Sequence, residues 1–387
     1  MQETIYDVWS AEARVDPYPT FHRMRAEDPV HWDGYSWQLT RHADVLFAFS
    51  DPRFSSERIG IPSEIAGVAA EELSAAVPLY DISQAMMLFR DPPAHTRLRG
   101  LVAQAFSAKM IEGMRPRIQE LVDELLDEAE RAGEFDLIQA LANPLPGKVI
   151  AELLGVPAED QPKFKHWANQ YAAFLGGSDE AGELLRAGIE SALAMGEYIR
   201  HTIALRKAEP RDDLMTALVQ AEEEGDRLSE LELVATVFLL LFAGNETTTN
   251  LIGNGTLTLL RQPEAFAQLR AHPEIIRTAV EELLRYESPV QLTNRRTLVD
   301  LEIGGVPVPA GANVQTWLGA ANRDPEQFPD PDRLDLTRRP NRHLGLAHGL
   351  HFCLGAPLAR AEGQIAINAV VQRFPGLRLA VDDDQLA

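Results

Sequence analysis

Cysteine is nearly absent from this sequence. The 387 residues contain one, Cys353, so no internal disulfide can form. With no apolar leader after Met1, this points to a soluble protein of a reducing, cytoplasmic compartment. Basic charge is also scarce: 36 Lys and Arg stand against 58 Asp and Glu, a formal charge of −22. General nucleic-acid binding is thereby excluded, because phosphate recognition needs a basic face. Long apolar runs are missing. The longest, VATVFLLLFAG (234–244), is too short to cross a bilayer and reads as a buried helix, so no membrane span is expected. There is no repeat, no low-complexity linker, no G-x-S-x-G, no H-E-x-x-H and no Walker loop. The GNG at 253–255 lacks the third glycine and the preceding strand of a dinucleotide site. Without a flavin or nicotinamide domain, any electrons the protein uses come from other proteins.

What is present reads as one mostly helical domain over 1–387, with a β-rich portion at about 1–90. VHWDGYSWQLTRHADV (30–45) has the aromatic and β-branched content and the Asp33-Gly34 turn of a hairpin. IQELVDELLDEAERAG (118–133) has apolar residues at three-four spacing and a glycine stop. DDLMTALVQAEEEG (212–225) and PEIIRTAVEELLRYES (273–288) repeat the form. DLEIGGVPVPAGANV (300–314) predicts two short strands around a Gly-Gly turn, and NRDPEQFPDPDRLD (322–335) an irregular loop held by prolines. A last helix follows the cysteine, with Pro357 in its first turn.

Cys353 sits in HGLHFCLG (348–355), with Gly349 and Gly355 around it. On residue type alone it is an inert buried thiol, a nucleophile or a metal ligand. Its place ahead of a helix N-terminus favours thiolate, and a thiolate held this way is a good axial ligand for haem iron. FAGNETTTN (242–250) interrupts an apolar helix with a glycine and three threonines, which is either a kink or a groove for a small ligand. Glu282 and Arg285 share a helix face, as do His95 and Arg99. Taken alone, both pairs read as solvated surface charges.

LGLAHGLHFCLGAPLAR (344–360) closely resembles the haem-binding loop of the bacterial cytochrome P450 monooxygenases, with Leu346 where the family has Phe and Ala347 where glycine is common. FAGNETTTN, EELLR (281–285), PDRL (331–334, with Leu334 for the usual Phe) and HTRLR (95–99) match further family segments in order. The resemblance therefore spans nearly the whole chain. It implies the cytochrome P450 fold, a mostly α single domain that binds haem b (iron protoporphyrin IX) through Cys353, with Gly349 and Gly355 shaping the loop. His95, Arg99, Arg295 and His351 would hold the propionates, with Arg296 in place of Arg295 if the register slips by one. Ala243 and Gly244 would make room for O2, and Glu246 and Thr247 would deliver protons. Glu282, Arg285 and Arg333 would form a buried structural network. By position, the substrate pocket would draw on Met86, Met87, Leu88, Phe89, Phe174, Leu175, Leu240, Val290 and Leu292, together with Ala243.

The implied activity is insertion of one O2 oxygen into an apolar small molecule, by hydroxylation or epoxidation. A fatty acyl or macrolide-like natural product is the expected class. Electrons would come from a separate ferredoxin or flavodoxin, docking at basic residues such as Lys109, Arg115, Arg342 and Arg360. The protein is expected to act as a monomer. Alternatives are an H2O2-driven peroxygenase, a haem-thiolate dehydratase or isomerase, and a non-catalytic haem sensor or carrier. Family members continue past FPGLRLA (374–380) with a strand pair whose turn touches substrate, whereas this sequence stops at Ala387.

Overall fold

The computed structural model describes residues 6–58, 70–176, 183–223 and 225–381. Helix dominates and the strands are short. The chain folds as two compact units, one of residues 1–56, 122–137 and 250–387, the other of 57–121 and 138–249.

The first unit holds a five-stranded sheet. Asp33 accepts hydrogen bonds from the amides of Tyr35 and Ser36, both at 2.7 Å, and Gly34 takes φ +97°. This turn closes the hairpin Val30–Trp32/Trp37–Leu39 with Val30 opposite Leu39. Asn313–Trp317 then pairs in parallel with Trp37–Leu39, Leu292–Thr297 joins antiparallel, and Phe54–Ser55 forms the edge. The β structure is thus not confined to the first ninety residues. A two-stranded hairpin is marginal alone, and Phe54–Ser55 joins it only through the two strands from 292–317. The Gly304-Gly305 turn joins Leu301–Ile303 to Val306–Val308 as the sequence predicts, and 322–335 carries neither helix nor strand.

Helices Pro263–Ala271, Ile276–Tyr286 and Ala356–Arg373 pack in the same unit around Leu251, Leu259, Leu283, Leu284, Ile367 and Val371. Glycines set the closest approaches. A Cβ at Gly255 would lie 3.1 Å from Ile367 and 3.2 Å from Leu283, and one at Gly363 would lie 2.8 Å from Leu251. Helix Glu230–Arg261 supplies Gly255 and Leu251 and runs unbroken through FAGNETTTN. By length and composition it could cross a membrane, yet 56% of its apolar window is buried inside the protein. It is a core helix, as its apolar run predicts.

In the second unit, helices Gln161–Gly176 and Glu183–Ala208 lie side by side. Tyr171 touches the rings of Phe174, Phe238 and Phe242, and Tyr80 meets Phe174. One expectation fails here. The 212–225 segment is helical only over Leu214–Gln220, capped by Asp213. Glu222–Glu223 then pairs with Asp226–Arg227, and Gly225, at φ +84°, serves that hairpin and is no helix stop. Three successive glutamates at the negative end of a helix oppose its dipole, so the helix ends before them.

Candidate functional site

The cysteine loop is fixed by its backbone. Gly349 adopts φ +67°, and a Cβ there would stand 2.7 Å from the carbonyl oxygen of Phe49, so only glycine fits. The Cys353 amide donates to the carbonyl of Leu346 at 2.9 Å, folding the loop back on itself. Ala347 also takes a left-handed conformation, φ +57°, which is the physical reason glycine suits that position. Leu346 is buried among Leu284, Leu334 and Ala356, with Cys353 packed against the same cluster, so the smaller side chain still closes the core. The thiol is half-buried, three residues ahead of the 18-residue helix Ala356–Arg373. Its neighbours Leu350 and Phe352 are exposed.

Arg295 and Arg296 are adjacent on strand Leu292–Thr297, so they face opposite sides of the sheet. Arg295 is buried, donates to the Asn294 carbonyl at 2.8 Å and lies over the Phe49 ring at 4.8 Å. Arg296 is exposed and donates to the Gly311 carbonyl at 3.3 Å. The inward donor is the one the sequence favours. His351 is half-buried in the turn Gly349–His351.

The Glu282–Arg285 pair is not a surface pair. Both residues are fully buried and joined by two 2.8 Å hydrogen bonds. Arg285 also donates to the carbonyls of Asn322 and Pro331. The third member needs correction. Arg333 is exposed and enters by its carbonyl, which accepts from Arg285 and Arg338. The second guanidinium on Glu282 belongs to Arg338, at 3.1 Å. Glu281, one residue earlier, takes Arg360 at 2.6 and 2.8 Å and His343 at 3.1 Å. Burial raises its pKa, but these donors outweigh it and hold the carboxyl at about 2. Arg360 is therefore committed internally and does not offer a free surface charge. Arg115 is likewise paired, with Glu112 at 2.9 Å.

In the second unit, helix Ala94–Ala105 carries His95 and Arg99 one turn apart. His95 is buried, and Arg99 half-buried. Burial, then the Arg99 charge, lowers the imidazole pKa, with Asp91 opposing. The Thr247 hydroxyl donates to the Ala243 carbonyl at 2.8 Å and Thr249 to that of Asn245 at 3.0 Å. These bonds absorb the threonines without breaking the helix. Glu246 is exposed, and a Cβ at Gly244 would meet open space, which leaves a gap on that helix face.

Residues 182–380 match the family model for cytochrome P450. Cytochrome P450 107B1 of Saccharopolyspora erythraea is 45% identical over 96% of this chain and 91% of its own length. The chain belongs to the cytochrome P450 family. Vitamin D(3) 25-hydroxylase of Pseudonocardia autotrophica is 42% identical over 98% of this P450 and 92% of its own length. The crystal structure of P450BioI with an acyl carrier protein bearing hexadec-9Z-enoic acid superposes with TM-score 0.86 at 39% identity, covering 95% and 93% of the two chains. This P450 is accordingly a haem-dependent oxidoreductase of the monooxygenase type.

The residues present fit a haem. A lone thiol stands at a helix N-terminus in a loop where glycine is obligatory, and a buried arginine rests on an adjacent segment of the same unit. The pocket residues named from the sequence divide. Met86 is completely buried, within 3.8 Å of the Tyr171 hydroxyl, and Met87, Phe89 and Leu240 are also buried. Leu292 packs with Tyr18, Phe21 and Trp317, and Val290 joins the core beside the sheet. Leu88 and Phe174 are half-buried, and the side chain of Leu175 lies outside the described residues.

Proposed function

We propose that this P450 inserts one oxygen of O2 into an apolar organic substrate, by hydroxylation or epoxidation, with Cys353 as thiolate ligand of haem b. The observation that carries this reading is the cysteine loop, whose geometry presents one thiol at a helix N-terminus. When bound, the haem supplies oxygen activation at its iron, and thiolate donation assists O–O cleavage. The chain's own residues do the rest. Arg99 and Arg295 hold the propionates, with His95 and His351 assisting, because buried carboxylates need cationic donors. The Thr247 hydroxyl donates a hydrogen bond to the Ala243 carbonyl, so its oxygen lone pairs are free to accept one. Glu246, exposed to solvent, recharges Thr247 with protons.

Electrons arrive from a separate ferredoxin or flavodoxin in the cytoplasm, and the protein acts as a monomer. Lys109 and Arg342 are exposed and remain candidate contacts for that donor. The relatives support an apolar substrate, with a fatty acyl or macrolide-like compound as the class to test first. The test is NADH-driven turnover with a surrogate ferredoxin system, comparing wild type with Thr247→Ala. The variant should keep the substrate-induced high-spin shift while product formation falls, a positioned proton transfer contributing roughly 10²–10⁴-fold. Unchanged product per NADH in the variant would remove Thr247 from the proton path. Product formed with peroxide and never with NADH would overturn the monooxygenase reading.

A further inference from the structure

Helix Ala356–Arg373 is buried through its middle turns, and among its small and apolar residues stands one acid. Glu362 is 1% exposed, and its Oε2 has no hydrogen-bond partner among the described residues. The charges on Ile276–Tyr286, on Pro263–Ala271 and at the end of Glu230–Arg261 are committed or exposed. On Ile276–Tyr286, Glu281 is bound by Arg360 and His343, Glu282 and Arg285 bind each other, and Arg277 is exposed. On Pro263–Ala271, Glu264 and Arg270 are exposed, as is Arg261 at the end of Glu230–Arg261. Arg373, on the same helix as Glu362, is held by Asp127 and Glu130. Among the described residues, none of these cations pairs with Glu362.

The adjoining face of the helix is closely packed. Next to Glu362, Gly363 meets Leu251 so closely that even a methyl group would not fit, and Gly255 meets Ile367 in the following turn of the same seam. An ionised carboxylate buried here without a counter-charge costs more than keeping a proton.

We propose that Glu362 is carried as a neutral carboxylic acid, and that its ionisation loosens the packing of helix Ala356–Arg373, making this unit alkali-labile. Burial pushes the Glu362 pKa from 4.5 up to about 8. The folded state therefore keeps its proton where the unfolded chain has lost it, and stability falls as pH rises from about 4.5 to about 8. Glu362→Gln keeps the shape and cannot ionise. In the haem-loaded protein, the melting temperature of the variant minus that of wild type should widen across that window and level off above it. Infrared difference spectra at pH 7 should show the carbonyl stretch of a protonated carboxyl in wild type and not in the variant. Asp44 and Glu287, also raised by burial, are common to both proteins and cancel. If Glu362→Gln does not fold, Glu362→Leu serves the same comparison, and the wild-type band should still vanish above about pH 8. No protonated band at pH 7, or a melting-temperature gap that is constant with pH, would overturn the proposal.

Discussion

At the scale of single residues, the loop around Cys353 shows what a motif is made of. Gly349 is required because its backbone turns left-handed against the Phe49 carbonyl, and Ala347 accepts a similar conformation at a cost of roughly 1–2 kcal/mol. The two arginines of strand Leu292–Thr297 differ only in which way the pleat points them. Arg295→Ala should release haem to an apo-acceptor faster, while Arg296→Ala should leave the release rate near wild type. Faster release from Arg296→Ala alone would reverse the assignment. The alternation of a strand makes this distinction, and the sequence carries it only once the register is known.

Among whole elements, the buried network around Glu282 explains why the 322–341 segment keeps its shape without helix or strand. Carbonyls of Asn322, Pro331 and Arg333 all converge on guanidinium groups. Arg285→Ala leaves buried Glu282 with one guanidinium in place of two and strips three carbonyls of a donor, and should cost about 3–5 kcal/mol. Arg338→Ala should cost a substantial part of that, and Arg333→Ala very little, because its side chain is exposed. Denaturant unfolding of the three variants measures the order, and an Arg333→Ala loss matching Arg285→Ala would refute the arrangement. The sequence made Glu282 and Arg285 legible because three residues along a helix fixes their adjacency. It could not rank Arg333 against Arg338, since both lie in irregular backbone where spacing does not determine direction. Strands bounded by glycine turns, at 30–39 and 301–308, were legible for the opposite reason: the turn chemistry is local. The early end of the 214–220 helix was also open to reading, in the glutamates that follow it.

For the molecule as a whole, a single thiol, an acidic composition and a long core helix came directly from composition and pattern, and the comparisons bear out the cytochrome P450 family that the motifs resemble. Pocket residues were the least legible feature. Methionines and leucines fill cores and line pockets with the same side chains: Met86 meets the Tyr171 hydroxyl, and Leu292 packs against Tyr18, Phe21 and Trp317. The central claim is that Cys353 ligates haem iron as thiolate, and the ferrous carbon-monoxide difference spectrum reads it directly. Wild type should show the strongly red-shifted Soret band of thiolate ligation, and Cys353→His should lose it while retaining haem. A wild-type band at the position typical of imidazole ligation, or a thiolate band that survives in Cys353→His, would contradict the account.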